Sequence, residues 1–201
     1  MAVAEPWPID YLKPRAATYH LAPRTTAGTV STSGFTQRVS VPIHSWLITY
    51  ENILVWNEEQ IRVWDAYESY LDGGATPIRV PLVGYTMPPG ANPGFATGVS
   101  PVGSTTMTVH RDSGLIVAGH HFGTSQERLY RTFGTTDLGG GNFSFSFRPP
   151  LRDHVAAGAS IWFDNLYVRC RLATDDEMTL KLEPGRMGTA TVRFVEDPTY
   201  E

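Results

Sequence analysis

Few residues in this sequence could do chemistry, and their spacing argues against most of it. Six histidines are present: His20, His44, His110, His120, His121 and His154. Only His120 and His121 are adjacent, and neighbours on a strand point to opposite faces, so the pair is a poor chelate. Neither HExxH nor CxxC occurs, and Cys170 is the sole cysteine, so no second cysteine can help to hold zinc. Cys170 sits in a strand pattern with no designated base. It reads as a buried structural thiol rather than a nucleophile, in a chain suited to a reducing compartment. Gly123-Thr124-Ser125-Gln126 is not the GxSxG turn of a hydrolase. Gly139-Gly140-Gly141-Asn142 lacks the Lys-Ser/Thr and following helix of a phosphate loop, and reads as a hairpin turn. Asp175-Asp176-Glu177 lacks the spaced oxygens and glycine of a calcium loop and reads as a solvated turn. No catalytic residue, cofactor or metal is therefore expected.

The aromatic residues have a different use. Trp46 and Trp64 follow strand alternation and helix spacing, which assigns them to a core. Trp7 and Trp56 are less accounted for, and with Tyr11 and Leu12 they are candidates for a subunit interface. Tyr130, Phe143, Phe145 and Trp162 are the candidates for stacking on a glycan.

What must position these residues is mainly β structure. The 201 residues include 19 Gly and 15 Pro, which favours strands and turns. Charged residues make up 18% of the chain, low against ~25% for a soluble domain. A net charge of −4 argues against nucleic acid as the main partner. No apolar run of about 18 residues is present, so no membrane helix is expected, and the first residues lack a signal peptide's basic and apolar regions.

One helix is expected, at about residues 57–72. Asn57 suits its N-cap, Gln60 can reach back to the cap, and Glu58 and Glu59 complement the dipole. Ile61, Trp64, Tyr67 and Leu71 form one apolar stripe, and Gly73-Gly74 permits a left-handed ending. Residues 1–33, with four prolines, read as an extended arm lying along the chain's own domain or a neighbouring subunit. Gln37–Pro42 and Ser45–Val55 read as a hairpin joined through Pro42-Ile43-His44. Thr76–Leu82 reads as a strand near a sheet edge because prolines flank it. Short strands follow at Thr105–His110, Leu115–Ala118, Arg128–Phe133 and Phe143–Phe147, with a helical turn at Leu151–Ala157. Strands at Leu166–Leu172, Thr179–Leu182 and Thr189–Phe194 complete the chain, the last two joined through Pro184-Gly185-Arg186.

Residues 83–168 hold 13 of the 19 glycines and a balanced charge, while both flanks are acidic. This predicts a mainly β protein, sandwich or barrel with one packing helix. Residues 1–82 plus 169–201 would form a scaffold domain, and residues 83–168 an inserted Gly-rich, barrel-like domain.

Certain stretches also match a known pattern. The block EEQIRVWDAYESYLDGGATPIRVPL, then RLYR at Arg128–Arg131, PPLR at Pro149–Arg152, CRL at Cys170–Leu172 and FVE at Phe194–Glu196 occur in this order. The ordered set, over most of residues 46–196, resembles the distal tail proteins of long-tailed bacteriophages. The resemblance implies a virion structural protein without catalytic residues, assembled in the host bacterial cytoplasm. It would form a ring of its own copies at the tail tip, between the tail tube and the receptor-binding or baseplate components. The implied partners are the tail tube, tape-measure and tail-hub or baseplate proteins, with DNA passing through the channel. The alternatives are a carbohydrate- or receptor-binding module of the tail tip, and another tail-completion or head–tail joining protein. An enzyme acting on the cell envelope is a third class.

Overall fold

The structure, a computed structural model, describes residues 4–27, 38–86, 89–90, 93–125, 127–183 and 187–197. Gln37, Gln126 and the Pro184–Arg186 turn lie outside the described residues. In chain order the elements are β1 (Ala16–Ala27), β2 (Arg38–Val55), α1 (Glu58–Leu71), β3 (Ile78–Pro81), β4 (Gly94–Ala96), β5 (Thr106–His110) and β6 (His121–Ser125). They continue with β7 (Arg128–Gly139), β8 (Asn142–Arg148), β9 (Ser160–Ile161), β10 (Tyr167–Leu172), β11 (Leu182–Glu183) and β12 (Met187–Glu196). The protein is mainly β, and its described residues form two six-stranded sheets.

The first sheet runs β1-β2-β12-β10-β3, with β11 appended to β12, and these strands pair antiparallel. β3 is its last named strand, as the flanking prolines predict. Residues 5–7 then lie beside it: Trp7 N–H donates to Arg79 O at 2.8 Å, and Arg79 N–H donates to Glu5 O at 2.8 Å. The second sheet runs β6-β7-β8-β5-β4-β9. Its ends meet through paired bonds between Gly123 and Trp162, at 2.8 and 2.9 Å, so it is nearly a closed barrel. The Gly139–Asn142 turn joins β7 to β8 as expected, with Gly140 and Gly141 at φ +60° and +79°.

Helix α1 follows from its local signals. The Asn57 side chain accepts from Gln60 N–H at 2.8 Å, and Gln60 Oε1 accepts from Trp56 N–H at 3.0 Å. Trp64 and Leu71 are buried, and Ile61 and Tyr67 pack against the same core. The left-handed turn begins at Asp72 (φ +45°), one residue before the glycines. Asn57→Ala is expected to cost about 1 kcal/mol, read as a lower midpoint in urea with an unchanged slope.

Several sequence expectations are corrected. Residues 38–55 form one strand, and its hairpin partner is β1 rather than an internal segment. Pro42 does not break it, because it falls where the register shifts opposite Arg24 and beyond the last β12 partner, Leu47. A missing donor there removes no ladder bond. Leu115–Ala118 is irregular and only Ile116 is buried. Leu151–Ala157 is not helical; Val155 bridges Ser100 as extended chain. Of Thr179–Leu182, only Leu182 enters a strand.

Each sheet has its own core. One gathers Trp7, Trp46, Tyr50, Trp64, Cys170 and Phe194; the other gathers Phe122, Tyr130, Phe145, Phe147 and Phe163. In the second, Phe122 meets Phe145 and Phe147 edge-on at 5.0 and 5.2 Å between ring centroids, the geometry the ring quadrupoles favour.

Candidate functional site

The most concentrated chemistry lies where the sheets meet, at a buried network of opposite charges. Leu129 belongs to the first core although β7 belongs to the second sheet. That places Arg128, only 1% exposed, against the end of β12. A guanidinium removed from water must be paired in good geometry or it costs several kcal/mol. Arg128 Nη1 donates to Asp197 O at 3.0 Å and lies 3.9 Å from Glu196 Oε1, while Nε lies 3.7 Å from Asp153 Oδ2. Glu196 Oε2 lies 3.5 Å from Arg152 Nη2 and accepts from Trp46 N–H at 3.0 Å. Arg152 also donates to His44 O.

A second half adjoins it on β10. Arg169 contacts Glu127 Oε2 at 3.2 Å and Asp197 Oδ2 at 3.5 Å, and Arg171 Nε donates to Asp197 Oδ2 at 3.0 Å. Glu127 Oε1 accepts from Ala4 N–H at 2.8 Å, tying in the N-terminal segment. Four arginines and four acids, drawn from both sheets and the connections around them, thus share one seam, buried except at Asp153 and Arg171. Trp46 spans the same junction: it is fully buried, its Nε1 donates to Leu129 O at 2.8 Å, and its ring lies 5.7 Å from that of His121.

His121 takes no part in a chelate or dyad. Its backbone N–H donates to Tyr85 Oη at 3.1 Å, and the Tyr85 ring meets its imidazole edge-on. Burial lowers its pKa from 6.5 to about 4, and the Arg131 charge acts in the same direction. The folded state therefore keeps a neutral ring, while the unfolded chain takes up a proton near the ordinary value. Between pH about 6.5 and about 4 the unfolded state binds more protons, so stability falls as pH falls through that window. His121→Asn is expected to flatten this part of the stability profile, as read by urea unfolding at successive pH values.

Cys170 is fully buried and burial pushes its thiol well up, which leaves it unreactive. Among the described residues, no three His, Cys, Asp or Glu side chains converge as a metal site would require.

The candidate interface residues divide. Trp7 and Leu12 are buried in their own core and are not available to a partner. Trp7 Nε1 donates to Leu12 O at 2.9 Å, and its ring meets Tyr50, Tyr67 and Phe194. Tyr11 and Trp56 are 43% and 57% exposed and line one groove of about 450 Å³ with Lys13, Arg15 and Gln60. The glycan candidates divide too. Tyr130, Phe143 and Phe145 are at most 5% exposed and fill the second core, so they cannot stack on a sugar. The reason is the Phe-Ser alternation of β8, which sends every phenylalanine inward. Trp162 alone, at 40%, is at the surface.

The charged seam was not singled out from sequence. Its members are far apart in the chain, and each alone resembles a surface charge. The one signal was the set of short stretches RLYR, PPLR, CRL and FVE, whose Arg128, Arg152, Arg171 and Glu196 all lie in it. No protein-family model matches the chain, and no curated protein sequence matches it.

Proposed function

We propose that this chain is a structural subunit of a bacteriophage tail tip, assembling as a ring of identical copies between the tail tube and the receptor-binding apparatus. The observation that carries the reading is the convergence of the ordered stretches on one seam. Their charged residues join two sheets into one body, which suits a subunit held rigidly between neighbours. The β1–β2 hairpin adds support. Beyond Leu47 of β2 it loses its β12 neighbour and continues two strands wide, with pairs out to Ala27 and Arg38. Such a ribbon is marginal alone in water and gains by lying on a neighbour, whose contacts in a ring are head-to-tail. Native mass measurement and negative-stain imaging of the purified chain test this. A closed oligomer is expected, and a monomer at every concentration overturns the reading.

Glycan binding is the second reading. Three of its four aromatic contacts are buried, and what favours it now is a shallow, hydroxyl-lined hollow of about 240 Å³ bounded by Thr97, Thr106, Thr108 and Ser144. A glycan array probed with the full chain tests it; no retained sugar removes it.

A further inference from the structure

The arginines of the seam are all paired with carboxylates, but two others close by are not. Arg131 and Arg148 stand directly opposite each other on β7 and β8. Like charges directly across an antiparallel pair destabilise it. Among the described residues neither has a carboxylate within 4.0 Å. Arg131 lies over the Trp46 ring at 5.9 Å and Arg148 over the Phe133 ring at 5.3 Å. Together with Leu21, His44 and Phe133, which is 58% exposed, they line an open groove of about 420 Å³. The buried Nδ1 of His44 has no hydrogen-bond partner there. Among the described residues, the groove is a cationic, partly aromatic slot with no carboxylate in its lining.

The complementary misplacement is on α1. Its last turn contains Glu68 and no basic residue, and Asp72 caps it. Acids at a helix C-terminus oppose the dipole. Asp65, Glu68 and Asp72 follow one another at i, i+3 and i+7, so they share one stripe, and all three are exposed. Asp175 extends the patch: its carboxyl lies beside Gly73. Among the described residues none of these acids has a cation within 4.0 Å. Tyr70, 38% exposed, lies in the same turn.

We propose that the Arg131–Arg148 groove of one copy receives the acidic last turn of α1 of the next copy. Two unlike patches on one chain make a head-to-tail contact, the kind that closes into a ring. Each patch is unfavourable alone and neutralised by the other. The inference rests on the ring reading and names the surfaces that form the contact.

Charge reversal tests it. Sedimentation velocity is run on the wild type, on Arg131→Glu/Arg148→Glu, on Asp65→Lys/Glu68→Lys, and on the chain carrying all four changes, each first shown to be folded by circular dichroism. Either double reversal is expected to weaken assembly at least about tenfold, and the fourfold variant to recover it. Added salt should weaken the wild-type contact. If the wild type assembles but either reversal has no effect, or the fourfold variant stays dissociated, the contact is wrong while the ring reading stands. A wild type that is monomeric throughout removes both.

Discussion

Glu196→Ala is expected to lower the unfolding free energy by about 3–5 kcal/mol, the usual loss when one partner of a buried ion pair is removed. Glu196 is 3% exposed and serves three groups: Arg152, Arg128 and the backbone N–H of Trp46. Its removal leaves the Arg128 guanidinium, 1% exposed, without its nearest β12 carboxylate, and strands a buried amide. Glu196→Gln keeps an acceptor for Trp46 and loses only the charge, so it should fall between alanine and wild type. Urea unfolding followed by tryptophan fluorescence gives both numbers. A loss under about 1 kcal/mol for alanine, the value of an exposed pair, would show that water reaches the seam and that it does not lock the sheets.

Trp46→Ala is expected to have a similar cost, about 3–5 kcal/mol, through cavity formation rather than charge. The indole is fully buried where the first core touches β7, so its removal leaves a large cavity. Trp46→Phe separates the contributions. It keeps most of the packing but leaves Leu129 O without its donor, which costs about 1–3 kcal/mol. Hydrogen exchange supplies a second readout: amides of β6 and β7 should lose protection in the alanine variant before those of β3 and β10. Uniform loss across both sheets would mean that Trp46 supports global stability without joining the two parts.

Local signals account for what is legible in the sequence. Helix α1 carries its cap, stripe and stop within 18 consecutive residues, so nothing distant is needed to recognise it. The alternations in β5, β8, β10 and β12 are likewise self-contained. Pro42 resembles punctuation, which is why the sequence alone suggests a hairpin within β2. Only the sheet shows that β12 stops before reaching it, so the proline costs no bond. Phe143 and Phe145 suit glycan stacking by residue type, whereas the period of β8 fixes them on its inner side. The charged seam is a tertiary property. Glu127 and Arg128 meet Arg169, Glu196 and Asp197 across some 40 to 70 residues of chain, and a lone Glu or Arg carries no mark of its future neighbour.

The sealing of β3 by residues 5–7 has a consequence for biosynthesis. Glu5 and Trp7 hydrogen-bond with Arg79, the Ala4 amide needs Glu127, and the Trp7 ring rests on Phe194. Residues 4–7 must therefore wait for partners as far along the chain as Phe194. Folding cannot be completed vectorially as the chain emerges, and the long loops that must close before these contacts form place this chain among slow folders. Until Phe194 has been made, Trp7 is exposed, although the folded protein hides it.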